Sequence, residues 1–214
     1  MLEHVPRWLG QAMKGLRAGA DKLVIARPDL GSFEAIRLAS PAFANGGRLP
    51  ERFTEDGEGV SPPLFWTGVP EGTARIALIV EDADAPAPKP LVHAVVWDLP
   101  GEDGELKEGE IRPDDGTRPG DVGRNSYFGE GWLPPDPPTG HGVHTYAFQI
   151  FALGECDDPG TNPPTSALWA TLTPKAMMLA NAMLNNRMRR MFSDIVRSKL
   201  RRAARCDATL ATRG

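Results

Sequence analysis

The apolar and polar positions of the chain divide it into a short helical start, a run of strands and a helical end. Trp8, Leu9, Ala12, Met13 and Leu16 recur near helical spacing with Arg7, Lys14 and Arg17 between them, which predicts a short amphipathic helix within residues 6–20. Gly10, Gly15 and Gly19 weaken it. Such a helix packs on its own domain or a second copy, with a membrane surface as the alternative. Glu34 to Leu38 alternate as a strand, and the stiff segment Ser61-Pro62-Pro63 feeds a short one at Leu64 to Trp66. Ile76 to Val80 are apolar on both faces and predict a central strand that stops at Glu81. In the next strand, Leu91 to Leu99, a period of two places Leu91, His93, Val95 and Trp97 on one face. Residues 101–132 lack clear periodicity and predict a long surface excursion. In a strand starting near Val143, His144, Tyr146, Phe148 and Ile150 share one face, and Thr145, Ala147, Gln149 and Phe151 the other. Thr173 and Pro174 suit a helix start, with helix expected through Met177, Met178, Ala182 and Met183 to about Ala204.

Composition adds bounds to this pattern. A chain of 214 residues with 41% hydrophobic positions can bury one full core. Its 23 glycines and 21 prolines sit between apolar runs, as the turns of a β-rich fold do. A net charge of −4 argues against a chain that binds nucleic acid over its whole surface. Eight basic residues and one acid, Asp194, lie between Arg187 and Arg205. That tail reads as a solvated helix face, or as a contact for RNA, an anionic membrane or a neighbouring subunit. Cys156 and Cys206 have neither CxxC spacing nor a His/Cys cluster around them and read as free thiols, with a mutual disulfide as the alternative. Without a signal-peptide core or a long apolar span, the expectation is a soluble, cytoplasmic protein.

The candidate chemistry sits in three places. Asp82 and Asp84 are two apart before Pro86, and His93 is the only titratable group in its apolar stretch. The loop Pro134, Pro135, Asp136, Pro137, Pro138, followed by Gly140 and Gly142, is rigid and then tightly turning, and leads into His144 and Tyr146. His141 and His144 are three apart in a glycine-containing loop rather than on a helical face, which argues against zinc. Ser61 and Ser126 lack the Gly-x-Ser-x-Gly elbow, and no phosphate loop is present, so neither a serine nucleophile nor nucleotide hydrolysis is indicated. Two histidines and a phenol can instead form an anion pocket, in which imidazole and phenol N–H and O–H groups donate to phosphate-type oxygens between proline walls. Satisfied core histidines are the competing interpretation. A hydrolase with His93 as base and Asp82 as its orienter is a further one.

Taken together, Asp82-Ala83-Asp84-Ala85-Pro86, His93 before Val95-Val96, Pro137-Pro138 with Gly142-Val143-His144-Thr145-Tyr146, and Ser61-Pro62-Pro63-Leu64-x-Trp66 resemble the phosphatidylethanolamine-binding protein family, in its bacterial Raf-kinase-inhibitor-like branch. The resemblance covers roughly residues 34–190. It implies a mainly β fold, a β-sandwich of antiparallel sheets with a few peripheral helices and a C-terminal helix. Together with the residue pattern it divides the chain into an N-terminal amphipathic extension at 1–30, the family domain at 31–190 and a basic helical tail at 191–214, the last unlike short members of the family. Carried over by position, Asp82, His93, Pro138, His144 and Tyr146 form a ligand pocket in which His93 and His144 face the anion, Tyr146 donates its hydroxyl and Asp82 sits at the rim. The implied function is noncatalytic binding of a small anionic or phosphorylated ligand or a phospholipid headgroup, or a protein-interaction module that inhibits a kinase or protease. No catalytic residue, metal or cofactor is expected, and a protein partner or homodimer is compatible. Where the family has glycine this chain has Pro134, which removes one backbone donor from the cradle. Thr145 replaces the family's arginine, on the face turned away from the pocket.

Overall fold

A computed structural model describes residues 6–27, 36–113, 115, 120–154 and 182–183. Two antiparallel sheets carry the fold. One has three strands in the order β1 (Arg37–Ala39), β2 (Leu64–Thr67), β5 (Gly104–Leu106). The other has five, ordered β6 (Asp121–Val122), β4 (Leu91–Pro100), β3 (Arg75–Asp82), β7 (Tyr146–Leu153), β8 (Ala182–Met183). In β2 buried Leu64 and Trp66 alternate with exposed Phe65 and Thr67, as a sheet with one wet face requires. Gly104 lies opposite Trp66, where a Cβ would come within 2.8 Å of the indole. β3 is covered on both faces, as its apolar run predicts, and extends two residues further than expected, through Glu81 and Asp82, both buried.

Other elements depart from the sequence pattern. The short helix expected within 6–20 is α1 (Arg7–Ala12), six residues long, and the chain continues as two 3₁₀ turns that the pattern did not indicate, at Ala20–Lys22 and Val24–Ala26. Ala20, Leu23, Val24 and Ile25 join the core. The 101–132 excursion is pinned by β5 and β6 and by an Arg124–Glu130 bridge. Ala182–Met183, expected to be helical, instead pairs with Phe148 and Gln149 of β7, which satisfies backbone groups that an open edge would expose. The rest of the expected C-terminal helix, the basic tail, Cys156 and Cys206 lie outside the described residues. Among the described residues no helix is long and apolar enough to cross a membrane.

On the face of β3 away from the candidate site, Glu81 and Gln149 form a buried polar pair. Gln149 Nε2 and the Val24 amide both donate to Glu81 Oε2, at 2.8 and 2.9 Å, and the Ile25 amide donates to Gln149 Oε1 at 2.8 Å. Burial raises the Glu81 carboxyl above its usual range, against the lowering effect of those two hydrogen bonds. A folded-state value above the unfolded one means that this group's contribution is complete below about pH 4, and is lost as pH rises through the raised folded value. Glu81→Gln keeps an acceptor and cannot ionise. The variant is therefore expected to gain stability over the wild type at pH 8, with the gap closing towards pH 4, as read by urea unfolding across that range.

Candidate functional site

The site lies where β3 ends. Asp82 pairs with Leu91 on one side and Tyr146 on the other, so three strands meet there. Val80 pairs with Ala94 but Glu81 with Val92, and this register shift leaves His93 as the extra residue of a β-bulge. The bulge reverses the alternation along β4. His93 turns to the face of Asp82 and Tyr146, while Val95 pairs with Ile79 on the opposite face, so His93 does not share a face with Val95 as the period of two suggested.

Asp82, His93, Pro138, His144 and Tyr146 all line one cavity of about 40 Å³, together with Ala85, Pro86, Leu91, Tyr127, Leu133, Pro134, Asp136 and Pro137. That volume holds about three water-sized groups, the scale of a small oxyanion. Pro134, Pro137 and Pro138 bring walls and no amide hydrogen. His93 Nδ1 lies 2.7 Å from the Leu133 carbonyl, which can only accept, so Nδ1 carries the proton. In the neutral ring Nε2 is then a bare acceptor, and it is buried with no partner among the described residues. Burial pushes His93 below the usual histidine range, outweighing the Leu133 hydrogen bond and the nearby Asp82 charge, and His144 adds to the lowering. The Tyr146 ring stands edge-on to His93 at 5.1 Å. Its hydroxyl is driven strongly upward by burial and then by Asp82, Asp136 and Asp84, so it stays a donor.

His144 is committed elsewhere. Its Nδ1 is 2.7 Å from Asp82 Oδ2 and its Nε2 is 2.7 Å from His141 Nδ1, while His141 Nε2 reaches the carbonyls of Met13 (2.9 Å) and Leu16 (3.0 Å). Asp82 Oδ1 accepts the Asp84 amide at 2.8 Å. The three links from carbonyl to carboxylate need three protons, and two neutral histidines carry only two. The third proton belongs to the chain as a whole, on one of the two rings or on the Asp82 carboxyl. Both His144 nitrogens are therefore engaged, and it offers the cavity a ring edge rather than the free N–H the family pattern implied. Asp82 orients His144, not His93, so the His93–Asp82 dyad of the hydrolase interpretation is not formed.

The family described as phosphatidylethanolamine-binding protein matches residues 39–190. The chain belongs to this family. A UPF0098 protein of Aquifex aeolicus is 37% identical over 151 residues, covering 69% of this chain and 84% of that one. A protein named putative lipoprotein LppC from Mycobacterium tuberculosis is 37% identical over 120 residues, 56% of each chain. Among solved structures, Escherichia coli YbcL, titled a new member of the mammalian PEBP family, superposes with a TM-score of 0.64 at 26% identity over 70% of this chain and 96% of its own. The PEBP homolog CT736 of Chlamydia trachomatis gives 0.62 at 27%, over 71% and 95%. The antiparallel sheets with few helices are those of the family.

Sequence reasoning did not single out Asp136 and Tyr127 as lining residues, although Asp136 stands within the proline loop and Tyr127 within the excursion. It weighed His141 only as a metal ligand, and the structure gives it a hydrogen-bonding role. Asp82 and Asp84 also diverge: Asp84 forms an ion pair with Arg17. A larger groove of about 430 Å³ adjoins the cavity and shares Pro137, His144 and Tyr146 with it; Arg48, Leu49, Glu51, Asp56 and Val143 complete much of its wall.

Proposed function

We propose that the protein is a noncatalytic binding protein for a small oxyanion of the phosphate-monoester type, taken up together with a proton held at His93. The observation that carries this reading is the buried Nε2 of a histidine, without a partner among the described residues, whose other nitrogen is committed to a carbonyl. A fully ionised phosphate offers such a nitrogen only lone pairs. A phosphate bearing one proton offers a hydrogen-bond donor, and moving that proton onto Nε2 gives an imidazolium against a dianion, which is the same complex in proton count. The Tyr146 hydroxyl supplies a second donor, and the carboxylates Asp82 and Asp136 beside the cavity disfavour the fully charged ligand. Because His93 Nε2 is buried, engaging it requires the wall around it to shift.

Titration calorimetry with inorganic phosphate and phosphoethanolamine tests the reading, and comparing the two separates a free anion from a headgroup. Wild type is expected to bind, and His93→Gln and His93→Ala to lose at least about tenfold in affinity, the scale of one hydrogen bond to a charged group. Absence of binding by the wild type, or unchanged binding by both variants, overturns it.

A further inference from the structure

We propose that residues 6–20, which lie outside the matched family range, form a latch that holds the pocket in its working geometry, with His141 as the positioning residue. This segment contacts both loops that carry the site. On the Asp82 side, the Ala18 and Gly19 amides donate to the carbonyls of Ala85 and Ala83, at 2.9 Å each, and Arg17 pairs with Asp84. On the His144 side, His141 donates to the carbonyls of Met13 and Leu16, Arg17 Nη1 donates to the Val143 carbonyl at 3.2 Å, and Gly10 lies against Thr139. A single guanidinium thus bridges two loops about 60 residues apart, with the arginine side chain only partly exposed.

His141 converts that docking into a constraint on the pocket. Seated on the latch carbonyls, it must donate from Nε2, and it meets His144 through Nδ1. His144 is thereby held between His141 and Asp82 at the cavity edge. Lifting the latch removes the partners of His141 Nε2 and frees His144 to turn. The latch acts through the back of the pocket and covers none of its lining, since no residue of 6–20 lines the cavity.

Two glycines make the test. A Cβ on Gly10 would sit 2.2 Å from the Thr139 carbonyl oxygen, so Gly10→Ala wedges α1 off the loop while favouring helix. Gly15 has nothing within 4 Å, and Gly15→Ala is the matched control. The full-length variants are compared by amide hydrogen exchange at Ala83 and Asp84 and by phosphate calorimetry. Gly10→Ala is expected to speed exchange at both amides and to weaken phosphate binding by about tenfold, with Gly15→Ala within about twofold of wild type. His141→Gln, whose carboxamide donates to the latch and accepts from His144, is expected to retain both properties, and His141→Leu to lose both. Unchanged exchange in Gly10→Ala overturns the latch, and so does faster exchange with phosphate affinity held, or equal loss in His141→Gln and His141→Leu. The affinity arm rests on the anion reading, but the exchange arm does not: if the wild type binds no phosphate, that reading fails, and exchange with the two His141 variants decides the latch.

Discussion

Affinity for a phosphate monoester is expected to fall about tenfold for each pH unit above about 7, and to level off below about 6. Free His93 is neutral there, because burial lowers its proton affinity. A free phosphate monoester loses its second proton near pH 6, so above that neither partner carries the proton that the complex contains. Each binding event must then take one proton from solvent, and the binding constant scales with proton activity. Groups facing His93 set the sign. Asp82 favours its charged form, His144 opposes it, and the Tyr146 hydroxyl stays protonated throughout. Calorimetry in two buffers of different ionisation enthalpy should count about one proton taken up at pH 8. Tyr146→Phe should weaken binding by about 1.5–3 kcal/mol and keep the slope, whereas His93→Gln should flatten it. A flat profile in the wild type, or proton release, contradicts the proposed site.

Replacing Asp82 separates charge from hydrogen bonding. Asp82→Ala removes the partner of His144 Nδ1 and of the Asp84 amide together, and leaves both buried polar groups unpaired. A loss of about 2–6 kcal/mol of folding stability is expected, at about 1–3 kcal/mol for each unsatisfied buried group. Asp82→Asn can keep every link. Its carbonyl accepts from Asp84 and its amide donates to a neutral His144, which in turn donates from Nε2 to His141. Every link is then made with two neutral rings, and the expected loss is only about 1 kcal/mol. Urea unfolding of the two variants at pH 7 makes the comparison. Equal, small losses would mean that the Asp82–His144 link contributes little.

Strand positions were largely legible because a period of two is a local property of an extended backbone. Leu64 and Trp66 alternate with exposed neighbours, and Ile76 to Val80 are buried on both sides, as their side chains indicate. The same rule failed at His93, because the bulge that turns it depends on pairing with Val80 and Glu81 on another strand. A different local rule failed at Ala182–Met183, where helical spacing yielded to the open edge of β7.

By itself the sequence determined the family, the antiparallel β fold and residues that line one candidate cavity. The ordered blocks Asp82 to Pro86, His93 and Pro137 to Tyr146 carry that information locally, in residue types and short spacings. Only the tertiary structure decided which group partners which. Asp82 and His144 are 62 residues apart, and His141 and the Met13 carbonyl 128. Hydrogen bonds act over about 3 Å, so the choice of partner follows from strand register and loop docking, which no local pattern encodes. That choice engages both nitrogens of His144, leaves one nitrogen of His93 uncommitted, and places a segment from outside the family match at the back of the pocket.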